Sequence, residues 1–202
     1  MRQALNEAAG LMRLVVSHRW YLLAGLRRVS FRWAWPLMGV VAKGYRRWML
    51  GRTVVVAVTG TYGKTTTTRF LRQLLGQPIR GRGWSNNHSG LALTLLNCPR
   101  RVRHWVLEIG LSGPGQMPSY RRMSRPDVAI ITAIGDEHVE SFKTRETTAR
   151  EKGDILTDLP STGLAILNGD DALVAPLAAN TQARTLLVGF GAHNDVRITE
   201  IM

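Results

Sequence analysis

The chain has 202 residues, 45% of them hydrophobic and 20% charged, and a formal net charge of +13. This balance is ordinary for a soluble globular protein, and the length allows one domain with a short appendage. The single cysteine, Cys98, excludes an internal disulfide framework and fits a reducing compartment, so we expect it to be a small core residue.

The positive charge is concentrated near the N-terminus. Residues 1–52 carry ten Lys or Arg residues and one acidic residue, for a net +9, whereas residues 53–202 carry seventeen basic and thirteen acidic residues, for +4. The same segment holds four of the six tryptophans, and its longest charge-free run, WAWPLMGVVA, is far shorter than the ~20 residues of a spanning helix. Two predictions stay open: a helix on an anionic membrane surface, or a basic helical hairpin docked on the body or on a partner. No nucleic-acid partner is expected, because nothing else in the chain supports one.

The body of the chain has the pattern of alternating strands and helices. Apolar runs bounded by glycine or proline predict strands at 53–59, 104–110, 126–135, 163–168 and 184–190, with an edge strand at 195–201. Helices are predicted at 65–75, 91–96, 146–159 and 170–179. Continuous apolar strands that alternate with helices predict an α/β fold, a mostly parallel sheet with helices on both faces.

A glycine-rich turn, GTYGKT at residues 60–65, separates the first strand from the first helix of the body. Glycines allow backbone N–H groups to approach a phosphate, and the helix N-terminus adds partial positive charge. In such a turn Lys64 would reach the terminal phosphates and the Thr65 hydroxyl would ligate Mg²⁺. The context of strand, turn and helix therefore predicts a phosphate site. The following Thr67 and Thr68 are expected on the helix surface.

Other polar groups lie where predicted strands end or helices begin, and each has a structural alternative. The loop NNHSG, residues 86–90, is a helix cap when taken alone, and Glu108 is either a Mg²⁺ ligand or a surface carboxylate. His138 either binds metal or positions a nucleophile, or else belongs to a polar loop. By composition alone Lys152 is a solvated helix lysine, and Asn168 either faces a base or caps the next helix. Ligands bind at the carboxyl ends of parallel strands, so we expect the functional groups to meet at that edge.

Taken together, these motifs resemble the Mur ligases, the ATP-dependent amide-bond ligases of peptidoglycan precursor synthesis. The closest type is the one that adds D-alanyl-D-alanine to a UDP-muramoyl tripeptide. The matching segments, in chain order, are VTGTYGKTTTT, NNHSG, EIGLSGPGQM, PDVAIITAIGDEH, REKGDI and AILNGDD. The family's short P-loop lacks an earlier glycine, as this chain does at Val58, and Lys152 stands where the family carries a carbamoylated lysine.

The resemblance implies a mechanism in which ATP phosphorylates a carboxylate and an amine attacks the acyl phosphate. It implies ATP and Mg²⁺ as cofactors. It implies catalytic roles for Lys64, His138 and Lys152; nucleotide contacts from Gly60, Thr61, Tyr62, Gly63, Lys64, Thr65, Thr66, Asn87 and Asn168; and metal ligation by Thr65, Glu108, His138 and Lys152. In this scheme Lys152 carries a carbamate, which turns a cation into an oxygen ligand.

A complete ligase of this type also has an N-terminal domain for the UDP-sugar and a C-terminal domain that brings the amine. Here residues 1–50 form the basic segment, and residues 51–202 correspond to the central ATP-binding domain. We therefore expect the central domain or subunit of an ATP-dependent ligase in cell-wall or envelope synthesis, completed by a protein partner that supplies the C-terminal domain. We expect it in the cytoplasm or peripherally on the inner face of the membrane.

Three alternatives remain. Poly-γ-glutamate synthetases resemble the same central domain and carry a membrane-directed N-terminus, so the substrate class is open. A membrane-surface nucleotide-binding module without ligase activity is a second alternative, and an inactive remnant is a third. Glu108, His138 and Lys152 favour a ligase, because nucleotide binding alone needs little beyond the P-loop.

Overall fold

The computed structural model describes residues 31–77, 87–136 and 142–200, with side chains from residue 37 onward in the first helix. The α-helices in these ranges are α1 (Phe31–Met49), α2 (Lys64–Leu74), α3 (His88–Leu96), α4 (Met117–Ser124) and α5 (Arg145–Gly153). The strands are β1 (Val54–Thr59), β2 (His104–Glu108), β3 (Val128–Ile131), β4 (Leu164–Asn168), β5 (Arg184–Gly189) and β6 (Val196–Arg197). Short 3₁₀ helices cover Asp154–Leu156 and Ala175–Asn180.

The strands form one six-stranded sheet in the order β2-β1-β3-β4-β5-β6, and every neighbouring pair is parallel. Strand β1, which lies between β2 and β3, is buried along almost its whole length, which is why its sequence is a continuous apolar run. The register sets Val58 beside Glu108 of β2 and beside Ile130 of β3, so the carboxyl ends of these strands lie at one edge. The predicted α/β fold with a parallel sheet is confirmed.

Helices cover both faces of the sheet, because alternate side chains of each strand point to opposite sides. On one face the strand residues Val55 and Ala57 belong to the main core, together with residues of α1, α3 and α4. On the other face Val56 and Val58 form a smaller apolar cluster, against which Leu71 of α2 packs. The sheet is thus a rigid middle layer that carries the loops at its carboxyl edge.

Helix α1 is docked on the body of the protein. Ala42 and Leu50 are fully buried in the main core, and the Tyr45 hydroxyl donates to the carbonyl of Cys98 at 2.8 Å. Residues 37–50 therefore pack against the body of the protein. Residues 1–30 lie outside the described part of the chain, so the hairpin and the membrane-surface helix stay predictions for the segment as a whole. None of the helices described is long and apolar enough to cross a membrane.

Cys98 is buried, as expected, and burial raises the pKa of its thiol to about 12. Burial likewise lowers the pKa of the Arg46 guanidinium in α1, although Asp127 beside it acts in the opposite direction. Cys98 and Arg46 are thus both buried where α1 packs against the body of the protein.

Some boundaries differ from the predictions. The helix predicted at 170–179 is wrong, because Pro176 has no N–H to donate and the segment forms only the 3₁₀ helix Ala175–Asn180. The helix predicted at 146–159 keeps α-helical form only to Gly153. No helix was predicted for MPSYRRMS, yet it forms α4. Its apolar residues Met117, Tyr120 and Met123 recur every three positions and are buried, but eight residues are too short a stretch for this period to stand out.

Candidate functional site

The glycine-rich turn between β1 and α2 is built on two glycines with positive φ. Gly60 has φ 143° and Gly63 has φ 82°, a region that side-chain-bearing residues rarely adopt. A Cβ at Gly60 would also overlap the hydroxyl of Thr132, which follows β3. Both positions therefore favour glycine because of their positive φ, and Gly60 also because the turn passes so close to Thr132.

The turn is held by the segment that follows β3. The Thr61 N–H donates to the carbonyl of Ala133 at 2.6 Å, and the Thr132 hydroxyl donates to the carbonyl of Tyr62, also at 2.6 Å. The Tyr62 hydroxyl lies 3.3 Å from the carbonyl of Asp136, to which it donates. These contacts fix the shape of the turn through the protein's own residues.

Lys64, the first residue of α2, folds back over the turn. Its side chain is buried, and its ammonium group donates to the carbonyl of Thr61 at 2.7 Å. The residue before it, Gly63, provides no side-chain cap for α2. Because the first N–H groups of a helix have no partner within it, this uncapped end directs backbone donors and one cation toward the turn.

Thr65 and Glu108 meet at the carboxyl edge of the sheet. The Thr65 hydroxyl donates to Oε1 of Glu108 at 2.9 Å, joining the start of α2 to the end of β2. A hydroxyl and a carboxylate are oxygen ligands of the kind that Mg²⁺ accepts. The structure thus brings together two of the residues predicted for a metal site.

Lys152 of α5 also reaches the glycine-rich turn. Only 1% of the residue is exposed, and its ammonium group donates to the carbonyl of Gly60 at 2.5 Å and lies 3.4 Å from the Thr61 hydroxyl. The expectation from composition alone, a solvated helix lysine, is wrong. The role that the resemblance implies for Lys152, a carbamoylated metal ligand, stays a prediction.

The remaining predicted residues are more widely distributed. Asn87 caps α3 by accepting from the N–H of Gly90 at 3.0 Å, which is the structural alternative considered for that loop. Asn168 lies at the carboxyl end of β4, where its Oδ1 accepts from the N–H of Asp170 at 3.1 Å. His138 and the first asparagine of the NNHSG loop lie outside the described residues. Within the residues described, no three His, Cys, Asp or Glu side chains form a metal-binding group.

Thr66 follows Thr65 at the start of α2 and is exposed. Thr68, two residues later, is almost completely buried. The expectation that Thr68 lies on the helix surface is therefore wrong. The helix periodicity explains this, because Thr68 lies one turn after Lys64, on the side that faces the sheet.

Two polar residues have contacts that the sequence did not predict. Thr132 braces the glycine-rich turn, and because it lay inside the strand predicted at 126–135, no sequence signal set it apart. Asp170 links the ends of β4 and β5, because its carboxylate accepts from the N–H groups of Phe190 at 2.6 Å and Gly191 at 3.0 Å. The pKa of the Asp170 carboxyl is lowered by these hydrogen bonds. The N–H of Phe190 has the largest effect, followed by the N–H of Gly191 and the side chain of Asn194.

Comparison with known proteins agrees with this geometry. The sequence profile of the Mur ligase middle domain matches residues 58–202. The chain belongs to this family.

Relatives of the Mur ligase family match the same region. The UDP-N-acetylmuramoyl-tripeptide–D-alanyl-D-alanine ligase of Bacillus subtilis is 37% identical over 153 residues, which are 74% of this chain and 33% of the relative. The ligase of the same name from Escherichia coli is 32% identical over 120 residues, which are 58% of this chain and 26% of the relative. The chain thus spans about a third of the length of the Bacillus relative.

Solved structures of Mur ligases share the fold. MurF from Acinetobacter baumannii superimposes with a TM-score of 0.72 at 28% identity, over 82% of this chain and 37% of that chain. MurF from Thermotoga maritima, solved in complex with ADP, gives a TM-score of 0.66 at 28% identity, over 78% of this chain and 37% of that one. The fold predicted from the resemblance is confirmed by these matches.

Proposed function

We propose that this chain is the ATP-binding module of a ligase that joins a carboxylate to an amine in peptidoglycan precursor synthesis. One observation carries the proposal: Lys64, Lys152 and the pair of Thr65 and Glu108 converge on a single glycine-rich turn. A turn that only needs to bind a nucleotide does not require a second, buried lysine from a distant helix. The family membership and the ADP complex of a related structure support the nucleotide.

The residues around the turn suit the parts of a nucleotide. The uncapped start of α2 and Lys64 would hold the phosphates, since both offer N–H donors with positive charge. Thr65 and Glu108 would hold Mg²⁺, and His138 with a carbamoylated Lys152 would serve a second ion. Asn168, three strands along the sheet from β2, would face the base.

Bound ATP would supply the phosphoryl group that converts a carboxylate into an acyl phosphate, leaving ADP. An amine would then attack the acyl carbon, forming the amide and releasing phosphate and a proton. The protein's own contribution is to fix the phosphates and to stabilise charge as it moves, because there is little covalent work for side chains in phosphoryl transfer. From the names of the relatives, we propose a UDP-muramoyl tripeptide as the acid and D-alanyl-D-alanine as the amine. The substrate-binding domains would come from further polypeptide, either of the same protein or of a partner. Because the reaction would consume ATP, we propose that it takes place in the cytoplasm.

The first experiment is calorimetric titration of Mg²⁺-ATP into the purified chain. We expect Lys64→Ala to weaken binding about ten- to hundredfold, because a charged hydrogen bond contributes about 1.5–3 kcal/mol. Lys43→Ala is the matched control, since this lysine is exposed on α1. Equal affinity of the wild type and Lys64→Ala would remove the proposed phosphate site.

The carbamate has a separate test. With isotope-labelled bicarbonate, carbon NMR should show a carbamate resonance in the wild type that Lys152→Met abolishes, while Lys143→Met, a change at an exposed lysine, leaves it. A resonance that persists in Lys152→Met, or none in the wild type, would contradict the role proposed for Lys152.

A further inference from the structure

Three basic segments converge at the amino edge of the sheet, opposite the nucleotide turn. They are residues 43–53, 97–103 and 121–126, with four, three and three Lys or Arg residues and no Asp or Glu. They precede β1, β2 and β3, which are neighbours in the order β2-β1-β3. Between the third segment and β3 lies Asp127, whose carboxylate pairs with the buried Arg46. Parallel strands begin at the same edge, so charges that are far apart in sequence become adjacent.

Hydrogen bonds to backbone carbonyls hold these segments together. The Val54 N–H donates to the carbonyl of Arg103 at 2.8 Å, and the Arg46 guanidinium of α1 donates to the carbonyls of Ser124 at 2.9 Å and Arg125 at 2.9 Å. Six of the exposed basic side chains in these segments define a surface that we call the basic edge: Arg47, Arg52, Arg100, Arg101, Arg103 and Arg125. Its charge density belongs to the folded body as well as to the N-terminal segment.

An apolar stripe adjoins the basic edge on the outer side of α1. Trp48 is 75% exposed, and Leu37 and Val40 are 66% and 67% exposed on the same arc of the helix. The Arg47 guanidinium lies 5.5 Å from the centroid of the Trp48 ring, over its face. A helix side that faces water is ordinarily polar, whereas apolar residues with tryptophan and flanking cations are typical of helices at a membrane surface.

We propose that the basic edge and the outer stripe of α1 dock on the surface of an anionic lipid bilayer. The arginines are attracted to lipid phosphates, and Trp48, Leu37 and Val40 leave water at the interface. The duplex backbone of a nucleic acid would satisfy the arginines but would leave the two aliphatic side chains in water, which is why lipid fits better. Docked in this way, the carboxyl edge with its nucleotide turn faces away from the bilayer and stays open to soluble substrates. This inference is independent of the proposed function, because it rests on the opposite edge of the sheet.

The test is flotation of the 202-residue chain with vesicles of phosphatidylcholine and phosphatidylglycerol, and with vesicles of phosphatidylcholine alone. Each basic residue near such a surface strengthens partitioning about fivefold, so Arg101→Gln with Arg103→Gln should weaken it about 25-fold. The matched control, Arg69→Gln with Arg150→Gln, removes the same charge from exposed positions on α2 and α5 and should change little. Trp48→Ala should reduce the partitioning that remains at high salt, where charge is screened.

Circular dichroism confirms that each variant is folded. Equal weakening by the two double variants would assign binding to net charge and overturn the proposal, as would equal binding to vesicles without phosphatidylglycerol. A short DNA duplex that binds more tightly than the mixed vesicles at the same salt, with the same sensitivity to Arg101 and Arg103, would identify a nucleic-acid surface instead. Loss confined to Arg101, Arg103 and Trp48 on anionic vesicles supports lipid docking.

Discussion

Replacing Arg46 by methionine tests whether α1 belongs to the stable body of the protein. Arg46 is 7% exposed and is the hub of the α1 interface. Its guanidinium donates to the carbonyls of Leu50 at 2.7 Å and Ser124 at 2.9 Å, and to the carboxylate of Asp127 at 2.8 Å. Methionine keeps most of the aliphatic volume and removes every one of these hydrogen bonds.

The expected loss follows from what each partner keeps. The Leu50 carbonyl still accepts from the Thr53 N–H, and Asp127 still accepts from the Val55 N–H with a side chain that is 36% exposed. Ser124 is fully buried, so water does not readily replace the lost donor at its carbonyl, which costs about 1–3 kcal/mol. Breaking a buried ion pair costs about 3–5 kcal/mol, and the partial exposure of Asp127 places this case at the lower end. We expect Arg46→Met to lower the free energy of unfolding by about 3 kcal/mol.

Urea unfolding followed by circular dichroism measures the change, with the slope checked for two-state behaviour. Arg47→Met is the control, because Arg47 is the exposed neighbour on the same helix, and surface changes of this kind fall within about 0.5 kcal/mol. A loss below about 1 kcal/mol for Arg46→Met, or equal losses for both variants, would refute the reasoning and leave α1 as a loosely attached appendage.

The other expectations concern the site. Glu108→Gln should abolish the Mg²⁺ dependence of ATP binding in calorimetry, whereas Glu146→Gln, at an exposed carboxylate, should leave this dependence intact. The same Mg²⁺ dependence in both variants would exclude Glu108 as a Mg²⁺ ligand. Gly60→Ala should destabilise the fold and prevent ATP binding, because Gly60 has a positive φ and a Cβ there would overlap Thr132. The control, Gly44→Ala, lies in an open helix position of α1 and should add about 0.5–1 kcal/mol of stability. A stable Gly60→Ala protein that binds ATP would contradict the close packing of the turn. The pKa of Asp170 is lowered in the folded protein, so its ionised carboxylate stabilises the fold above the unfolded pKa of about 3.9. This stabilisation is lost as pH falls through the folded pKa, so the difference in unfolding free energy between wild type and Asp170→Asn should shrink in acid. If the difference in unfolding free energy between the two proteins stayed constant from neutral to strongly acidic pH, the negative charge of Asp170 would not contribute to stability.

Local sequence was sufficient where a feature depends on residues close in the chain. The run VVVAVT followed by two glycines, a lysine and threonines predicted the β1–turn–α2 unit, and the structure has it at Val54–Leu74. The expectation that polar groups meet at the carboxyl edge also held for Glu108, because strand direction and register follow from the parallel pattern. The false helix at 170–179 shows the limit, since one proline outweighed otherwise helical composition.

Features built from distant residues needed the folded chain. Lys152 has the local sequence of a solvated helix lysine, and only the packing of α5 buries it beside Gly60, 92 residues away. Thr132 braces the turn across a similar gap in sequence. Burial and hydrogen-bond partners depend on neighbours in space, which hydrophobic periodicity along one segment does not encode.

The amino-acid sequence by itself determined the class of fold, the glycine-rich turn and the family to which the chain belongs. Those properties rest on backbone conformation and on the order of short motifs, both of which are written locally. The tertiary structure alone decided that Arg46 docks α1 on the body, that the Thr65 hydroxyl meets Glu108, and that three basic segments form one edge. Each of these depends on which strands are neighbours, and strand order is settled by how all the apolar faces can be buried at once.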